Sequence, residues 1–180
     1  MEEVKYNAMQ KLKREMFAMR NGVVADALRQ GGCQFKIIFG VNLPQLAEIA
    51  SRSEHSREFA QKVWENSTTR ESMLIAPMLM PAEEFGLEMA REWISQVPTP
   101  EVADVLCLKL LRHMPYALDM VSELTSGDSM LEKYTGLRLM CNLAPKYPEK
   151  AAALGQAFIE SASGILRQPA AVLATYAVEW

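Results

Sequence analysis

The chain has 180 residues, of which 49% are hydrophobic, and a net charge of -3. That is enough apolar material to bury a core without staples, which excludes a disordered chain, and the slight acidity excludes the strongly basic class of nucleic-acid binders. The longest apolar stretch, Met73 to Met80, is too short to span a bilayer, and the acidic opening Met1-Glu2-Glu3 is unlike a secretory leader, so one cytoplasmic domain over residues 1–180 is expected.

In chain order, residues 2–19 carry Met9, Leu12, Met16 and Met19 near helical spacing, and Asn21-Gly22 breaks that helix. Val23 to Gln30 reads as a second helix stopped by Gly31-Gly32. Gln34 to Val41 has strand-like composition but no second strand to pair with, so it reads as a buried connector. Pro44 starts a helix that ends near Ser53, and another runs from Arg57 to Asn66. Thr68 and Glu71 have capping-box spacing, with Arg70-Glu71 opening a helix that Pro81 ends.

Glu83 to Val97 is amphipathic, with Leu87, Ala90, Ile94 and Val97 on one stripe and Glu84, Glu88 and Arg91 opposite. Thr99-Pro100 supplies an N-cap and a first-turn proline for a helix running to His113. Pro115, Asp128 and Pro148 begin the remaining segments, and Pro169 interrupts or starts the last. Helical pairs return near 57–80, 83–113 and 115–143, a spacing typical of repeats that bury apolar faces against their neighbours. The fold class is therefore all-α.

The three cysteines, Cys33, Cys107 and Cys141, lack CxxC spacing, and His55 and His113 share no cluster with them. Neither a metal nor a cofactor is implied, and reduced thiols are expected. The twelve methionines read as flexible core fillers. Trp64 and Trp93 read as core residues, the latter in a Phe85, Met89, Trp93 series.

Three stretches resemble the DNA alkylation repair family, whose characterised members are HEAT-like-repeat alkylpurine DNA glycosylases. They are Phe39-Gly40-Val41-Asn42-Leu43-Pro44 with Leu46 and Ile49; Val63-Trp64-Glu65 with Arg70-Glu71 and Leu74 to Met80; and Asp128 to Leu143. The resemblance implies a right-handed α-solenoid of antiparallel HEAT-like hairpins, with a concave, positive surface for double-stranded DNA. It also implies a carboxylate that assists departure of a cationic alkylated base, flanked by tryptophans. A fixed anion beside the positive charge growing on the sugar lowers the barrier, and aromatic faces attract that charge.

The chain departs from this pattern where the chemistry would sit. In the Thr99–His113 helix, Ala103 stands for the family's tryptophan and Cys107 for its aspartate. Asp104 is the nearest carboxylate and the candidate if the chain is an active glycosylase, although it is rotated by about 100° from Ala103. No catalytic residue is assigned, and efficient base excision is not expected; Trp180 does not match the second family tryptophan. Lys109, Arg112, His113, Lys133 and Arg138 are the expected DNA contacts, with the first three sharing a helix face and Lys133 replacing the family's basic residue. Residues 37–104 carry five basic against eleven acidic side chains, whereas residues 1–36 carry seven basic against four acidic. The alternative is a non-catalytic scaffold that takes a protein or peptide in its groove.

Overall fold

In a computed structural model, which describes residues 6–177, the chain is built from α-helices and short 3-10 turns. The described residues form eleven α-helices and no β-strand; an isolated parallel bridge joins Ile37 to Thr69. Two compact units are present, Met1–Phe85 and Gly86–Trp180.

The first unit contains α1 (Ala8–Ala18), α2 (Gly22–Gln30), α3 (Leu43–Ser51), α4 (Arg57–Glu65) and α5 (Arg70–Leu79). Its helix starts follow from capping chemistry. Asn7 and Gln10 form a reciprocal capping box on α1, and Asn42 and Gln45 form another on α3, where Pro44 adds a preset φ. The side chains of Asn21 and Ser56 accept from Val24 N–H and Phe59 N–H. α4 and α5 pair, α3 lies beside α5, and α1 touches α3 and α4. Leu12, Met16, Leu46, Ile49, Val63, Trp64 and Leu74 fill the core. The part of the expected first helix before Tyr6 lies outside the described residues.

The connector after α2 is only partly buried: Ile38 and Val41 are inside, whereas Ile37 is 40% exposed. Its backbone is tied down at both ends. Asn21 N–H donates to Phe39 O, Ile37 N–H to Thr68 O, and Arg70 N–H to Ile37 O. Gly40 sits at φ +75°, and a Cβ there would run into the backbone oxygen of Asn21. The Phe39-Gly40-Val41 sequence therefore needs glycine for both conformation and space.

Glu71 is not a capping glutamate. Thr69, not Thr68, is the N-cap residue of α5, and it makes no side-chain cap bond. The Glu71 carboxylate instead accepts the N–H groups of Phe39 (3.0 Å), Gly40 (2.9 Å) and Val41 (3.4 Å), plus Arg70 Nη1 at 2.8 Å. Arg70 also donates to Val41 O. Both side chains are buried, so the pair fastens the connector to the start of α5.

The second unit contains α6 (Leu87–Gln96), α7 (Pro100–Lys109), α8 (Ala117–Ser126), α9 (Met130–Leu143), α10 (Pro148–Ile159) and α11 (Arg167–Ala174). The expected Glu83–Val97 helix is shorter than predicted. Ala82–Glu84 form a 3-10 turn and α6 starts after Gly86, although the Ala90, Ile94, Val97 stripe is buried as its spacing demands. α8 packs on α9 and α10 on α11 as hairpins, while α7, α9 and α11 lie side by side. Two glycines allow the close approaches. A Cβ on Gly136 of α9 would lie 2.9 Å from Leu124 Cβ and Thr125 Cγ2 of α8, and one on Gly155 of α10 would strike the α11 backbone at Leu173–Ala174. Met16, Met73, Met80, Met114, Met120 and Met140 are buried as core fillers, whereas Met130, 49% exposed, departs from that expectation.

Candidate functional site

The row of α7, α9 and α11 carries a connected polar cluster. Asp104 projects from α7, Tyr134 and Arg138 from α9 at an i, i+4 spacing, and Gln168 from α11. Asp104 Oδ1 accepts the Tyr134 hydroxyl at 2.8 Å and Arg138 Nε at 2.8 Å. Arg138 Nη1 donates to Gln168 Oε1 at 3.4 Å, so one guanidinium spans three neighbouring helices. The Asp104 and Arg138 side chains are 37% and 26% exposed. The cluster is therefore open to solvent but already paired.

Its electrostatics follow from burial and neighbouring charge. Burial, then the hydrogen bond to Asp104, pushes the Tyr134 phenol well above its ordinary range, so it stays a neutral donor. Burial works against the Arg138 cation, but Asp104, Tyr134 and Cys141 together outweigh it and hold the guanidinium charged. Burial, then the Asp104 charge, pushes the Cys107 thiol far up. Cys107 Sγ donates to Thr135 O at 3.5 Å and is no nucleophile.

Ala103 and Cys107 are both fully buried on α7. Neither position offers a side chain to a surface where a nucleotide could lie. Asp104, one step round the helix, does reach a surface. A second participant, Tyr134, escaped sequence reasoning; the i, i+4 pairing of Tyr134 with Arg138 was the available signal.

The expected DNA contacts do not lie on one helix face. α7 ends at Lys109, Leu110 leaves helical geometry (φ -131°, ψ -63°), and Leu111–His113 form a 3-10 turn. Lys109, Arg112 and His113 therefore do not share one helix face, correcting the expectation from spacing. Arg112 and His113 are exposed neighbours, with Arg112 Nε donating to His113 Nε2 at 3.2 Å. Lys133 and Arg138 are five residues apart on α9, which places them about 140° apart around the helix. Arg138 itself is engaged by Asp104.

Trp64 and Trp93 are buried in their respective units, out of reach of a nucleotide. Trp180 lies outside the described residues. Among the described residues, no group of three or more His, Cys, Asp or Glu side chains is placed to hold a metal, and no helix is long and apolar enough to cross a membrane.

Comparison with known proteins agrees with the fold. One solved structure, described as a new family of proteins related to the HEAT-like repeat DNA glycosylases with affinity for branched DNA structures, is similar with a TM-score of 0.79. It is 14% identical, and the match covers 92% of this chain and 73% of that one. At this identity the likeness shows the fold, a HEAT-like array of helical hairpins. No curated protein matches the chain. The family model described as DNA alkylation repair enzyme matches residues 12–167. The match runs through the connector, the Arg70-Glu71 pair and Asp104, Tyr134 and Arg138, and on that basis the chain belongs to the DNA alkylation repair enzyme family.

Proposed function

We propose that this chain is a DNA-binding member of the family that does not efficiently excise alkylated bases. The observation that carries the second half is the pairing of Asp104. A carboxylate that assists base departure must present uncompensated negative charge to a growing cation. Here Arg138 supplies a positive charge at hydrogen-bond distance, and Tyr134 occupies the same oxygen. Ala103 and Cys107, where the family resemblance expects the indole and the carboxylate, are buried and cannot substitute.

DNA binding is supported by family membership and by the similar fold of a protein related to glycosylases with affinity for branched DNA. The family match crosses the boundary at Phe85, which supports one working domain over the chain. Lys109, Arg112, His113 and Lys133 supply phosphate contacts in this reading. Arg138 supplies less, because Asp104 offsets its charge.

Fluorescence anisotropy with a labelled duplex over a salt series tests the binding half. The logarithm of the affinity should fall linearly with the logarithm of salt, and Lys133→Ala or Arg112→Ala should each flatten the slope by about one. Absence of binding at about 50 mM salt, where phosphate contacts are least screened, would contradict this reading and leave a protein or peptide partner as the function.

A further inference from the structure

Three cations of the first 36 residues, Lys13, Arg14 and Arg20, lie beside aromatic rings. Lys13 and Phe17 lie on one face of α1 at i, i+4 spacing, and Arg14 is next to Lys13. Phe17 is 52% exposed. The Arg20 guanidinium stacks over its ring at 3.9 Å from the centroid, and Phe39 of the connector meets its edge at 6.2 Å with planes 85° apart. Arg14 lies over the Tyr6 ring at 4.4 Å and donates to its hydroxyl at 2.9 Å.

Two open grooves flank this stack and share Ala18 and Phe39. One, of about 460 Å³, runs past Lys13, Arg14 and Phe17. The other, of about 450 Å³, runs past Arg20 and Arg29. Both volumes fall in the range of small-ligand sites, about 300–1,000 Å³. Neither is lined by a carboxylate among the described residues. The nearest acids in sequence are engaged: Glu15 pairs with Arg52 at 2.7 Å and Asp26 with Arg29 at 3.4 Å.

We infer that this surface of the Met1–Phe85 unit binds unpaired nucleotides of single-stranded DNA. A base stacks against the Phe17–Arg20 pair, and Lys13 and Arg14 hold the phosphates on either side. The chemistry selects that ligand. Phosphates alone would need only cations, and an apolar partner would not favour Lys13, Arg14 and Arg20 together. Cations interleaved with exposed aromatic faces match a chain that alternates negative charge with flat rings. The site uses none of the residues assigned to duplex contact, so it stands or falls separately from that reading.

The test is anisotropy with a fluorescein-labelled oligothymidine of on the order of 15 nucleotides, within the length bound by single-strand proteins. The wild-type chain should bind it with a salt-dependent affinity. Phe17→Ala should weaken binding about ten-fold or more, the loss expected for one stacked base. Phe17→Trp should retain the affinity, and the emission added by that substitution should be quenched on binding. Lys13→Ala with Arg14→Ala should weaken binding and flatten the salt dependence. Duplex affinity measured on the same variants should not change with Phe17→Ala, which separates this site from the duplex contacts. Phe17 is half exposed, so the substitutions should leave the fold intact, and circular dichroism of each variant checks this.

Single-strand binding that is indifferent to Phe17→Ala would overturn the inference, as would no binding at low salt. A polyglutamate peptide bound as tightly and with the same dependence on Phe17 would assign the groove to an acidic peptide instead. A dimer seen by sedimentation and dissolved by Phe17→Ala would assign it to a second copy of the chain.

Discussion

Glu71→Ala should cost about 3–5 kcal/mol, the penalty for leaving one partner of a buried ion pair alone. A typical domain has about 5–15 kcal/mol in total, so the variant should be unfolded or close to it at physiological temperature. The loss is compound. The Arg70 guanidinium remains buried without its carboxylate, and the N–H groups of Phe39, Gly40 and Val41 lose their acceptor. Each such orphan costs about 1–3 kcal/mol when water cannot reach it. Glu71→Gln keeps an acceptor oxygen but removes the charge facing Arg70, so it should fall between wild type and alanine. The comparison is a urea titration followed by circular dichroism, with Glu83→Ala as an exposed control expected within about 0.5 kcal/mol of wild type. Equal midpoints for Glu71→Ala and the control would show that the pair does not anchor the connector.

Trp93→Ala should cost a similar amount, about 3–5 kcal/mol, but for a different reason. Trp93 is fully buried on α6, and removing the indole leaves a void that surrounding side chains can only partly fill. Trp93→Phe should recover much of the loss because less volume is removed. The same variant discriminates between a core residue and a nucleotide contact. Removing a core tryptophan lowers the thermal midpoint and leaves the DNA affinity of the folded fraction unchanged. A contact residue would do the reverse. Differential scanning calorimetry beside the duplex titration reads both.

Most of the helical architecture was legible because its punctuation is local. Pro44, Thr99 with Pro100, and the Gly31-Gly32 stop each act within a few residues of the helix end they define. The amphipathic stripe of Ala90, Ile94 and Val97 was readable for the same reason. The role of Glu71 was not, because its partners lie about thirty residues earlier in the chain. Spacing to Thr68 suggested a cap, but three backbone donors brought in by the connector claimed the carboxylate first.

The candidate site shows the same limit. Spacing placed Lys109, Arg112 and His113 on one face only under the assumption of a continuous helix. The break at Leu110 removes that assumption. Asp104 was legible as the acid nearest the family positions. Its engagement by Tyr134 and Arg138, residues 30 and 34 positions later, depends on how α7 and α9 sit side by side. Helix register across that contact decides whether Asp104 is a free anion or half of a pair, and no local rule reports it.

Incubating the purified chain with duplex DNA carrying 7-methylguanine, and measuring free base released against a no-protein control, tests the central claim most directly. The paired Asp104 and the buried Ala103 and Cys107 predict release no faster than the control, by a chain that still binds the duplex. Rapid release that Asp104→Asn abolishes would contradict the account, because it would show that the carboxylate works as a catalyst despite Arg138.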